Sequence, residues 1–141
     1  MIFVVDASVA CRWLLSGEAH PHAQAVLERM LSSPRLFAVP ELFSFEVYAV
    51  LCRLHPKPLE AFARGIMPIL QGGILRHPMT EPLAEAAMRF VDLGLTGYDA
   101  CYAALASELG GVWLTFDTRA HLCIAGEQLS CSLADELPPG F

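Results

Sequence analysis

The chain has 141 residues, 55% of them hydrophobic and only 17% charged, with a mean hydropathy of +0.46. One core is expected, because a domain of about 150 residues buries roughly 70% of its unfolded surface, and so apolar a composition excludes intrinsic disorder. Nine basic against fifteen acidic residues give a net charge of -6, which on its face disfavours a non-specific nucleic-acid binder.

The longest uncharged run, Gly65 to Leu75, is broken by Pro68, Gly72 and Gly73. A spanning helix needs about 20 apolar residues, so no membrane segment is expected. Asp6 interrupts the apolar start and no basic segment precedes it, so no signal peptide is expected and the chain reads as cytoplasmic. The five cysteines are scattered and form no C-x-x-C pair, which fits reduced, buried side chains better than disulfides or a zinc ribbon.

In chain order, Met1 to Asp6 is a β-branched and aromatic run ending in an acid, and Ala7 to Leu15 follows as a helix. Ser16 to Pro21 reads as a loop, Ala23 to Leu31 as a helix and Leu36 to Val39 as a second strand. Pro40 suits the first turn of a helix over Glu41 to Leu54. A helix over Pro58 to Leu70, kinked or ended by Pro68, leads to a brief strand around Ile74 to Arg76. Thr80 opens a helix to about Leu93, and Thr96 opens another from Gly97 to Leu109. Val112 to Phe116 is a strand, Asp117 to about Ile124 a short helix, and Leu129 to Leu133 a final edge strand. The alternation predicts an α/β fold, a three-layer α/β/α sandwich with a short, mainly parallel central sheet. Residues 1–137 form the expected domain and 138–141 a C-terminal tail.

In an open parallel sheet, ligands bind outside the carboxyl ends of the strands. Asp6 and Asp117 close two strands, Asp99 stands in the first turn of a helix and Glu46 in the second turn of another. Helix capping accounts equally well for Asp6 or Asp117 taken singly, and Thr96 to Asp99 has the spacing of a capping box. Glu46 is harder to explain that way. Its neighbours at three and four residues are Leu42, Phe43, Ala49 and Val50, and no Lys or Arg follows until Arg53, so its carboxylate needs a partner, a proton or a cation.

Four converging carboxylates are compensated by a divalent cation, and oxygen-only ligands select Mg²⁺ or Mn²⁺ over zinc. That chemistry is metal-assisted phosphodiester hydrolysis. On the same reasoning Asp6→Ala is expected to leave the fold intact or improved, since it removes one of several repelling charges. Ser8 and Thr115 stand two residues from Asp6 and Asp117, placed to orient a ligand or water, with turn hydrogen bonding an equal account for Ser8.

The segments Val4 to Val9, Pro40 to Val47, Leu95 to Ala100 and Leu114 to Asp117 together resemble the PIN-domain ribonucleases, especially VapC-type toxins of toxin-antitoxin pairs. The resemblance implies a PIN fold, a Mg²⁺- or Mn²⁺-dependent endoribonuclease, a homodimer and inhibition by a VapB-like antitoxin. It carries Asp6, Glu46 and Asp99 over as the acidic core and Asp117 as a fourth, more variable acid. Many VapC-like sequences have asparagine three residues after the helical glutamate, where this chain has Ala49. The other reading is a PIN-like module that grips RNA or a protein without cutting.

The helix bearing Glu46 carries a second apolar stripe, Leu42, Phe45, Ala49 and Cys52, which serves either an interface or an internal core. Zinc at His20 and His22 or at His121 and Cys123 lacks a second ligand pair. An aspartyl-phosphate site lacks its second aspartate, since position 8 is Ser8, and the sole lysine, Lys57, sits in a Pro-rich loop. Setting the four site acids aside moves the formal charge from -6 to -2, which reopens RNA as a partner. Arg12 and Arg119, one or two turns beyond Asp6 and Asp117, are the expected phosphate contacts, with surface ion pairing the bland alternative.

Overall fold

The computed structural model describes every residue from Met1 to Phe141. Five strands, β1 (Phe3–Val5), β2 (Phe37–Pro40), β3 (Leu75–His77), β4 (Val112–Thr115) and β5 (Ser130–Ser132), form one sheet in the order β3-β2-β1-β4-β5. Every neighbouring pair is parallel. Helices cover the sheet in a three-layer α/β/α sandwich. They are α1 (Ala7–Leu14), α2 (Pro21–Ser32), α3 (Leu42–Leu54), α4 (Pro58–Ala61), α5 (Met67–Leu70), α6 (Glu81–Asp92), α7 (Gly97–Glu108) and α8 (Thr118–Cys123). None is long and apolar enough to cross a membrane.

The strands read as unbroken apolar runs because parallel strands are covered on both faces, and all of β1 and β2 is buried. Ala100 to Ala106 of α7 is likewise buried throughout, and its alanines let that helix lie close against β1, β2 and β4. The order of the chain reverses between β1 and β4: β2 and β3 build outward from one side of β1, and β4 and β5 from the other. Such a switch point opens a crevice at the carboxyl ends of the two strands, where Asp6 and Asp117 follow β1 and β4.

Several boundaries differ from those the sequence predicts, and three of the differences have a clear local cause. Pro40 ends β2 opposite His77 instead of opening α3, and the chain stays in register through the Glu41 amide, which donates to the His77 carbonyl at 2.8 Å. A proline is tolerated at a strand end because few ladder bonds are lost there. Helix α2 starts two residues early, because Pro21 occupies its first turn and the His20 ring accepts from the His22 amide at 3.0 Å as a side-chain cap. Between α4 and α5 the chain makes a π turn over Phe62–Ile66, so helical backbone runs on to Leu70 despite Pro68. A wider turn just before a proline relieves the clash of its ring with the carbonyl four residues back.

The tail set apart by its Pro-Pro-Gly run does not trail away. The Phe141 ring meets Phe3 edge-on at 5.1 Å, and the Arg29 guanidinium lies over it at 4.7 Å.

Gly111 stands where β4 comes closest to the chain start, and a Cβ there would fall 2.1 Å from the Ile2 carbonyl oxygen. Backbone cannot give way as a side chain can. Gly111→Ala is therefore expected to destabilise the fold by about 1–3 kcal/mol, read as a lower urea midpoint at unchanged slope.

Candidate active site

Asp6 caps α1 in extended backbone, and its Oδ1 accepts from the Ser8 amide at 2.9 Å and from the Ser8 hydroxyl. Its Oδ2 accepts from the Trp113 indole at 2.9 Å. The register explains that bond: Trp113 pairs with Val4 across the sheet, and Asp6, two residues on, shares the face of Val4. The Trp113 ring stacks on Tyr102 of α7 at 6.2 Å and an interplanar angle of 9°. The Tyr102 hydroxyl in turn donates to Glu46 Oε1 at 2.7 Å. Two buried aromatics thus tie the acid after β1 to the acid on α3.

Ser8 and Thr115 join the two strand ends. The Ser8 hydroxyl accepts from the Phe116 amide at 3.0 Å and stands 3.4 Å from the Thr115 hydroxyl, which accepts from the Asp117 amide at 3.0 Å. Asp117 caps α8 through the Ala120 amide at 3.0 Å, and the Thr96 hydroxyl caps α7 through the Asp99 amide at 3.1 Å. No reciprocal bond from Asp99 to the Thr96 amide forms, so the Asp99 carboxylate is not spent on the cap. Asp6 and Asp117 do serve as caps, and all four acids nonetheless line one cleft of about 410 Å³. Capping and cleft lining are compatible because a carboxylate has more acceptor sites than a cap uses.

The electrostatics show why these acids are uncomfortable as neighbours. Burial pushes the Asp6 carboxyl up to about 6 and the nearby Asp99 charge adds to it, against the bonds from Ser8, Thr115 and Trp113. Burial likewise pushes Glu46 up to about 7, with the Asp6 and Asp99 charges adding and the Tyr102 hydroxyl opposing. Asp99 is raised by burial and then by Asp117, while Thr96 and Arg119 pull it back. Asp117 itself is exposed.

This donor set fits a hard divalent cation, for every carboxylate is an oxygen donor and each of the three raised acids would be returned to its charged form by positive charge. No three His, Cys, Asp or Glu side chains stand close enough together to enclose an ion. The four acids therefore line the cleft without forming a ready-made metal cage.

Arg12 and Arg119 do not line the cleft. The Arg12 guanidinium lies over the Phe116 ring at 4.1 Å and faces a separate cavity with Trp13 and His20. Tyr102, Trp113 and Arg53 are neighbours of the acids that the sequence reading missed. A signal existed for Tyr102, which stands one helical turn after Asp99 in an otherwise apolar run, where a phenol needs a partner.

Tyr102→Phe removes a donor to the charged form of Glu46, so the Glu46 carboxyl is expected to titrate above about 7. NMR titration of the side-chain carboxyl carbon in the protein without added metal checks this. An unchanged or lower midpoint would contradict the hydrogen bond.

A parallel sheet with a switch-point cleft walled by carboxylates defines an acid-lined α/β domain. The PIN-domain family profile matches residues 3–123, and the chain belongs to that family. No curated protein sequence matches it. Among solved structures it is similar to FitAcB from Neisseria gonorrhoeae, with a TM-score of 0.68 and 19% identity over 88% of this chain and 94% of that one. It is similar to FitAB bound to an IR36 DNA fragment, with a TM-score of 0.72 and 18% identity over 99% of this chain and 100% of that one. It is also similar to VapC20 from Mycobacterium tuberculosis, described as a Sarcin-Ricin loop cleaving toxin, with a TM-score of 0.63 and 19% identity over 85% and 93%.

Proposed function

We propose that the chain is a Mg²⁺- or Mn²⁺-dependent endoribonuclease and the toxin of a toxin-antitoxin pair, working in the cytoplasm. The observation that carries this reading is the single cleft at the β1/β4 switch point lined by Asp6, Glu46, Asp99 and Asp117. Membership of the PIN family, whose members are nucleases that generally use divalent metals, supports it. When bound, such an ion makes water acidic enough to attack phosphorus near neutral pH and neutralises charge on the phosphodiester.

The chain's own residues prepare that site. Of Asp6, Glu46 and Asp99, one or two would hold the ion directly and the rest through its waters, with Asp117 as the outer, exposed acid. Ser8 and Trp113 fix both oxygens of Asp6, and Tyr102 fixes Glu46, so these acids are oriented before substrate arrives. Thr115 holds the Asp117 amide and thereby the turn from which that carboxylate projects. Oriented acids reduce the rearrangement needed as charge builds during in-line displacement.

Most of the second stripe of α3 faces outward: Phe45 is 73% exposed and Ala49 and Cys52 are exposed, while Leu42 packs against the core. Phe45 borders an apolar groove of about 400 Å³ with Pro40, Leu42, Met79 and Leu83. A contiguous apolar surface of this kind supports a protein partner, here a second copy of the chain or a VapB-like antitoxin. The similarity to FitAB bound to DNA accords with an antitoxin partner.

Incubation of looped or single-stranded RNA with antitoxin-free protein and Mn²⁺ tests the activity. Fragments with 5′-phosphate and 3′-hydroxyl ends are expected. Metal-dependent RNA binding without products would favour the non-catalytic module instead.

A further inference from the structure

Seven residues separate Glu46 from Arg53 on α3, and Glu46, Ala49, Val50 and Arg53 form one helical face that walls the acidic cleft. Arg53 is the one basic residue lining that cleft. Lys57 and Arg64 pair with Glu60, Arg89 with Glu127, Arg12 lies over Phe116 and Arg29 over Phe3 and Phe141, while Arg35, Arg76 and Arg119 are unpaired but stand outside the cleft. Arg53 makes no ion pair and no side-chain hydrogen bond, although four carboxylates line the same cleft, and its side chain is exposed. An arginine has five donors in a fixed fork matched to phosphate oxygens, and here all five are free. Between Glu46 and Arg53 that face carries only the apolar Ala49 and Val50, neither of which can pair with the guanidinium.

Tyr98 adds a second feature. It is 66% exposed, adjoins Asp99 and lines both the acidic cleft and the apolar groove beside it, with no hydrogen bond from its hydroxyl. An exposed ring at the border of a charged cleft is what a stacked base uses, because every base has a π face.

We propose that Arg53 and Tyr98 form a grip for single-stranded RNA on either side of the acids, Arg53 taking a backbone phosphate and Tyr98 a base. The grip rests on the nuclease reading of the same cleft. Seven residues of helix span about 10 Å, so the phosphate that Arg53 takes flanks the scissile one instead of being it. The acids handle the reacting group, and Arg53 sets where the strand lies. Arg53 also explains how a chain of net charge -6 attracts a polyanion: the positive charge is placed singly, inside the cleft.

The test measures binding of a fluorescein-labelled single-stranded RNA across a salt series by Asp99→Asn protein, alone and combined with Arg53→Ala, Arg53→Lys, Tyr98→Ala or Tyr98→Phe. Cleavage by the corresponding single variants is followed in parallel. Each phosphate contact on a single strand contributes about 0.7 to the slope of log affinity against log salt, so Arg53→Ala is expected to flatten that slope by about 0.7 and weaken binding about tenfold. Arg53→Lys should keep the slope. Tyr98→Ala should weaken binding about tenfold with the slope unchanged, and Tyr98→Phe should bind as its parent does. Both residues are exposed, and circular dichroism checks that the fold is kept. A slope unchanged by Arg53→Ala while wild-type protein still cleaves RNA overturns the grip and leaves the nuclease reading standing. An Arg53-dependent slope in a protein that never cleaves overturns the nuclease reading and keeps the grip. Absence of RNA binding together with absence of cleavage by the wild-type protein overturns both.

Discussion

Asp6→Asn is expected to abolish RNA cleavage, lowering the single-turnover rate by about 10²–10³-fold or more, the scale seen when one preorganised charge is removed from a reacting centre. Asp99→Asn should do the same, because its carboxylate lines the same cleft and holds no buried donor. The two variants differ in their cost to the fold. Asp6 is 5% exposed and accepts from Ser8 and Trp113, whereas Asp99 is half-buried and its carboxylate meets only the exposed Thr96 side chain.

For Asp6→Ala these bonds oppose the relief of repulsion that the sequence leads one to expect. At pH 5 the Asp6 carboxyl, titrating at about 6, is already mostly neutral, so substitution relieves little repulsion. Alanine then leaves the buried Trp113 N–H without an acceptor and α1 without its cap. A loss of about 1–3 kcal/mol is expected at that pH, read from urea unfolding. Unchanged stability would show that the Trp113 bond contributes nothing.

The second large effect is on stability against pH and metal. Asp6 and Glu46 titrate in the fold at about 6 and about 7, above their ordinary values of 3.8 and 4.5. A carboxyl whose pKa is raised by folding favours the folded state when protonated. Its contribution is full below the unfolded value and is lost as pH rises through the folded one. Protein stripped of metal is therefore expected to lose melting temperature steadily from about pH 4 to about pH 7 through these two groups, and then to level off. Divalent ion binds the charged forms and competes with protons, so Mg²⁺ or Mn²⁺ should restore stability at pH 8 far more than at pH 5. At an ion concentration of about 100 times its dissociation constant the gain is about 2.7 kcal/mol, or roughly 5–10 °C in Tm for a chain of this size. Asp6→Asn should flatten the pH dependence and shrink the metal response. A Tm that rises between pH 5 and pH 8 in EDTA would contradict the buried, repelling cluster.

The acids were legible in the sequence because a charge at the end of an apolar run, or on an otherwise apolar helix face, departs from a pattern that burial imposes. Asp6, Glu46, Asp99 and Asp117 each did so, and the alternation of strands and helices placed them on one rim. What holds them was not legible. Trp113 reaches Asp6 only through the register of β4 on β1, and Tyr102 reaches Glu46 only once α7 lies against the sheet beside α3. Register and helix phase are tertiary facts, set by packing across the whole layer.

Arg53 was visible as the first cation after Glu46 along its helix, but its two-turn spacing placed it in the cleft only after the phase of α3 was known. Pro40 misled for a related reason: a proline before a helical pattern fits a first turn or a strand end equally well, and pairing with β3 decides for the strand. The α3 stripe of Leu42, Phe45, Ala49 and Cys52 allowed either an interface or a core, and the absence of any element packed over Phe45 decides for outward exposure of all but Leu42.

The measurement that bears most directly on the central claim is the single-turnover cleavage of a looped RNA by purified, antitoxin-free protein. It is run with Mn²⁺, with EDTA, and with Mn²⁺ on the Asp6→Asn and Asp99→Asn variants. Cleavage by the wild-type protein in Mn²⁺ alone, lost in EDTA and in both variants, is the predicted result. Cleavage that persists in EDTA and in both variants would contradict an acid-held metal as the source of the activity.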